Sequence, residues 1–282
     1  MGYLDDVRLD KTVEGPHTNG AGGPGRRILV IVLALLVVGL AAAIYLVFGR
    51  KQAEAPVRTT TEQPVKDTAT GPAPEPGENI PLPPLDVTDP VVRKLVGSLS
   101  SHPRVAAWLA TDDLIRNFTV VTLNVAEGKT PVRHLRAQAP SAKFRARATT
   151  TGPYLDPQNY QRYDAYADAV GELDARGTAR LYRTLRPRIV EAYAEQGIAE
   201  DKVDAVLERA IAHLLATPLV DSDVALKQKT VSYALADERL ESLSSAQKQL
   251  LRMGPRNVKI IQAKLRDIAL YLGIPQTKLP PS

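Results

Sequence analysis

The stretch DARGTARLYRTLRPRIVEAYAEQ, residues 174–196, decides the class of the fold. Leu181, Leu185, Ile189 and Ala192 recur at helical spacing, while Arg176, Arg180 and Arg183 fall on another face. One side is built for a core and the other for charge, which is the pattern of an amphipathic helix. Gly197 stops it. Pro187 is expected to bend it, because proline lacks the N–H its turn needs and crowds the carbonyl four residues earlier.

Working outward, the same period recurs. Val203, Val206, Leu207, Ala210, Ile211, Leu214 and Leu215 mark a second helix, closed by Thr217-Pro218. Ser244 and Gln247 form the capping-box pattern ahead of another helix, and a last helix runs from about Arg256 to Leu272. Towards the N-terminus, Thr88 is placed to cap Val91, Val92, Leu95, Val96 and Leu99, and Thr111 to cap Leu114, Ile115, Phe118, Val121 and Val125. FRARATTTGPYL, residues 144–155, breaks the helical period around a turn and reads as a small hairpin. Val231, Tyr233 and Leu235 alternate like a short strand.

Before residue 85 the composition changes. Residues 28–48, ILVIVLALLVVGLAAAIYLVF, carry no charge and lie between Arg26-Arg27 and Arg50-Lys51. About 20 such residues suffice to cross a bilayer as a helix. Flanking Lys and Arg are evenly divided, so orientation rests on the signal-anchor pattern, which favours a cytoplasmic N-terminus. Residues 1–27 read as a disordered tail. Residues 49–84, with eight prolines, read as an extended spacer. The expected fold is therefore all-α with a minor β-hairpin: one N-terminal transmembrane helix, a Pro-rich linker, a helical domain over 85–273 and a tail over 274–282.

The chain carries 36 Lys and Arg against 31 Asp and Glu, a formal +5. The first 84 residues hold a slight acidic excess, so the domain is more basic than the whole and suits anionic partners. With no cysteine, disulfides, thiolate metal sites and cysteine nucleophiles are excluded. His17, His102, His134 and His213 are scattered without metal-ligand spacing, and neither a nucleophile elbow nor a Gly-rich phosphate loop is present. No metal or cofactor is expected.

LSSHPRVAAWLATDDLIRNF, NVAEGKTPVRHL, YLDPQNYQRYD, HLLATP and AQKQLLRMGPRNVKIIQAKLR together resemble a bacterial family known as domain of unknown function 3014. The resemblance spans most of the region after residue 85. It implies a proteobacterial envelope protein anchored near its N-terminus, with the domain in the periplasm, and it supplies no catalytic residue.

Three functional readings follow. The first is a non-enzymatic binding or scaffold module at the inner membrane, taking an envelope protein or an anionic cell-wall polymer. Its candidate site combines Tyr160, Arg162 and Tyr163 with Arg176, Arg180 and Arg183, since tyrosine faces and arginine forks suit sugar rings and anions. The second is a cell-wall hydrolase using carboxylates such as Asp112 and Asp164. The third is a tethered cytoplasmic regulator reading DNA through the basic second helix of the C-terminal pair, with Arg256, Lys259, Lys264 and Arg266. A periplasmic domain disfavours nucleic acid.

Overall fold

The computed structural model describes residues 73–132, 140, 142–230 and 232–281. Ten helices are described: α1 Asp89–Gly97, α2 Pro103–Leu109, α3 Leu114–Ala126, α4 Gln158–Gln161, α5 Asp164–Gly171, α6 Ala175–Ala194, α7 Val203–Leu215, α8 Glu238–Glu241, α9 Ser245–Leu251 and α10 Pro255–Leu272. Two antiparallel hairpins join them, β1 Ala146–Thr149 with β2 Gly152–Leu155, and β3 Leu226–Gln228 with β4 Tyr233–Leu235.

The apolar stripe of α6 is what assembles the core. Leu181, Leu185, Ile189 and Ala192 are buried against α3 and α10, and α7 packs on the same two partners. Trp108 from α2, Val121 and Val125 from α3, Tyr193 from α6 and Leu265 from α10 are fully buried in this layer. A smaller core of Leu155, Val224, Leu226, Leu235 and Leu251 lies under the hairpins. The Leu155 N–H donates to the Val224 carbonyl at 2.8 Å, and Tyr154 bridges Ala225, so the hairpins are stitched edge to edge.

The helix ends are explained by their caps. Asp174 accepts from the backbone N–H of Arg176 and Gly177 at 3.0 and 2.9 Å and opens α6. The capping box of Ser244 and Gln247 forms as its spacing predicts. Two other caps differ from the expectation. Thr88 makes no side-chain cap and instead donates to the Leu85 carbonyl. At α3 the cap residue is Asp113, in the left-handed region, and the N–H groups of Asp113 and Leu114 donate to the Asp89 carboxylate across the fold. Thr111 turns back onto the Trp108 carbonyl.

The expected fold class is corrected at two points. There are two hairpins rather than one, because Leu226–Gln228 supplies the partner for the alternating strand. Among the described residues no helix is long and apolar enough to cross a membrane. Residues 28–48, where the transmembrane helix was expected, lie outside the described residues, as do the tail over 1–27 and most of the linker. Pro187 lies inside α6, which runs from Ala175 to Ala194.

Candidate functional site

Residues 73–84, read from composition as the last part of a spacer, form a strap along the basic face of α6. It runs in the same direction as the helix. At its start, Pro74 lies against Gly273, where a Cβ would come within 2.7 Å of the proline ring. The Glu75 carboxylate is held at both oxygens, one by Arg176 and the other by Arg180 Nη2 at 2.7 Å. Arg183 donates to the Glu75 carbonyl at 2.7 Å and to the Tyr271 carbonyl at 2.6 Å, pinning the strap to the end of α10.

Gly77 then touches the helix backbone itself. A Cβ there would lie 2.5 Å from the Thr184 nitrogen, so no side chain fits. Thr184 Oγ1 accepts from the Glu78 N–H at 2.8 Å, and Arg188 Nη2 donates to the Leu82 carbonyl at 2.9 Å. Leu82 reaches the main core and Leu85 is buried in it. Beyond Leu85, Arg116 of α3 clasps Asp86 at 2.5 Å and Glu195, just past α6, at 2.7 Å.

The electrostatics follow from these contacts. Arg176, by hydrogen-bonding the Glu75 carboxyl, holds it below the usual carboxylate range, and Glu75 raises Arg176 in return. Burial lowers Arg183. A depressed carboxylate makes the Glu75 attachment fully present at neutral pH and removes it as pH falls through the folded value. Exposed ion pairs contribute little by themselves. The main-chain bonds from Arg183, Thr184 and Arg188 therefore matter at least as much to the seating. Next to the strap lies a cleft of about 480 Å³, lined in part by Arg183, Arg186, Asp204, Glu208, Gly273 and Lys278.

The family model described as "Protein of unknown function (DUF3014)" matches residues 114–269, more than half of the 282-residue chain. The chain belongs to the DUF3014 family. The matched region runs from the start of α3 almost to the end of α10 and includes the five strap-holding residues of α6, Arg176, Arg180, Arg183, Thr184 and Arg188. Neither a curated protein nor a solved structure matches the chain.

In this DUF3014 chain the six expected binding residues fall in two places. Arg176, Arg180 and Arg183 share the strap. Tyr160, Arg162 and Tyr163 lie at the α4–α5 corner, and no hydrogen bond or ring contact described joins the two sets. The Tyr160 ring fills the space over Gly254, and its carbonyl accepts from Asn257 at 3.2 Å. Arg162 donates to the Asn159 and Ala142 carbonyls at 3.1 and 2.9 Å, with its guanidinium 5.3 Å from the Tyr163 ring centre. Tyr163 packs on the main core with its ring 6.3 Å from that of Tyr166. These three residues hold the corner of the DUF3014 fold together. Sequence reasoning missed Glu75, Thr184 and Arg188. Only the Arg176–Arg180–Arg183 spacing hinted at the face they share.

The carboxylates and cations of the other readings have structural partners. Asp112 pairs with Arg93 at 3.0 Å. Asp164 accepts from Asn257 at 2.9 Å, and Asp168 pairs with Arg256 at 2.7 Å. On α10, Lys264 donates to the Leu173 carbonyl, Arg266 to the Pro280 carbonyl, and Lys259 to Asp221. With Val258, Ile261, Leu265 and Ile268 buried, α10 is a central core helix of the DUF3014 domain. His102 caps α2, and His213 meets Ser244 at 2.6 Å, with burial pushing its imidazole down. His17 and His134 lie outside the described residues. Among the described residues no group of three or more His, Asp or Glu is placed to hold a metal ion.

Proposed function

We propose that this protein is a non-enzymatic binding module of the bacterial envelope, capturing an anionic partner on the basic face of α6. The observation that carries the reading is the grip of Arg176 and Arg180 on both oxygens of the Glu75 carboxylate. A surface that chelates a carboxylate in cis has the donor geometry to take one in trans, and a guanidinium fork suits that group better than an ammonium. The uncharged stretch 28–48 and its basic flanks support attachment at the inner membrane, with the domain in the periplasm. There the accessible anions are acidic envelope proteins and cell-wall polymers.

The test uses the full chain and isolated cell-wall sacculi. Wild-type protein is expected to be retained in a salt-dependent way, and Arg176→Glu with Arg180→Glu to abolish retention while far-UV circular dichroism stays helical. Equal retention of the double variant would sink the reading. Location is read in the same cells from Ser282→Cys, a unique thiol in a cysteine-free chain. A membrane-impermeant maleimide should label it once the outer membrane is permeabilised. Labelling only after lysis would place the domain on the wrong side.

A further inference from the structure

We infer that the α6 groove is a receptor for an extended acidic segment of another polypeptide, and that residues 73–84 are its built-in competitor. This deepens the proposed function and rests on it: the groove's preferred anion is borne on a peptide chain, with a cell-wall carboxylate the weaker occupant. The groove reads a backbone as well as a charge. Two of its arginines, Arg183 and Arg188, donate to main-chain carbonyls, and Thr184 accepts a main-chain N–H. Between those contacts the Gly77 slot excludes any side chain. Reading a carboxylate, two peptide carbonyls, one peptide N–H and a glycine in order is recognition of a peptide. A polyanion offers only the first of these.

The occupant seen in the groove also defines the partner's chemistry. It is proline-flanked, Pro-Glu-Pro-Gly-Glu over residues 74–78, and its prolines hold it extended at low entropic cost. Its covalent tether within the described residues is its own continuation at Leu85, no strand ladder fixes it, and the Glu75 attachment is only half-buried. A segment joined to its own site by a short connection competes at an effective concentration of order millimolar. The cis strap therefore screens weak partners and yields to a tighter peptide or one presented at high local density.

The probe is a fluorescent synthetic peptide of residues 73–84, APEPGENIPLPP, added to the full chain. Two variants unseat the cis strap by different means: Glu75→Gln removes the carboxylate, and Gly77→Val collides with the α6 backbone. Each is expected to bind the free peptide at least about tenfold more tightly than wild type, as relief of cis competition requires. Peptides with Gln at the Glu75 position or Val at the Gly77 position should fail to bind either variant. Circular dichroism checks that both variants remain helical. If neither variant gains affinity over wild type, or if the altered peptides bind as well as the parent, the inference is overturned. Retention on sacculi through Arg176 and Arg180 without any peptide binding would defeat this inference alone and leave the proposed function standing.

Discussion

Replacing Trp108 with alanine is expected to cost the domain about 3–5 kcal/mol of folding stability. Trp108 is the largest fully buried side chain and lies on α2, a seven-residue helix too short to persist by itself. With Val105 and Leu109 its ring fastens that helix to the core, so deletion leaves both a cavity and a loosened element. Typical domains have only 5–15 kcal/mol in total, so the urea midpoint should fall by a large fraction. Trp108→Phe should lose far less. It keeps most of the buried area and discards an indole N–H that has no hydrogen-bond partner among the described residues. A loss below about 1 kcal/mol for the alanine variant would contradict the burial of α2.

Gly254→Val is expected to be comparably damaging, for a different reason. Gly254 sits at φ 86°, ψ 161°, a region essentially reserved for glycine, and forcing a side chain there costs about 1–3 kcal/mol. The added Cβ would also lie 2.3 Å from Tyr160 Cγ, which adds about 1–3 kcal/mol of overpacking. The two contributions can be separated. Tyr160→Ala in the Gly254→Val background should recover the steric part and leave the backbone part. If the double variant were as stable as Tyr160→Ala alone, the glycine conformation would carry no strain for valine, and the argument from backbone geometry would be wrong.

That pair also shows why the candidate site falls in two places. Tyrosines clustered in sequence look like a stacking surface, but nothing within YLDPQNYQRYD reveals that Gly254, far along the chain, leaves a slot shaped for the Tyr160 ring. The arginine face was legible, because Arg176, Arg180 and Arg183 fall on one side of a helix whose apolar stripe is plain. Their partner was not legible. Glu75 lies about a hundred residues away in a proline-rich stretch, and proline content reports an extended chain without reporting what it lies against.

The same division runs through the fold. Local periodicity located α3, α6, α7 and α10, and local spacing identified the Ser244–Gln247 capping box. Where a cap comes from afar, as Asp89 does for α3, the hydroxyl of Thr111 looks suited to the role in sequence but turns back onto the Trp108 carbonyl. The second hairpin was half visible, since Tyr233 and Leu235 alternate but Leu226–Gln228 is too short to show a period. The cap at α3 and the seating of the strap on α6 both escaped because they are contacts between segments distant in sequence.

Hydrogen–deuterium exchange over residues 74–84 of the full chain tests the central claim most directly. With the strap seated, the Glu78 amide, bonded to Thr184, should exchange well below the rate of an unstructured peptide. Its protection should disappear in Gly77→Val and weaken on acidification through the depressed range of Glu75. Free-peptide exchange at Glu78 in the wild-type chain at neutral pH would contradict the account, because it would mean that the strap is not seated on α6.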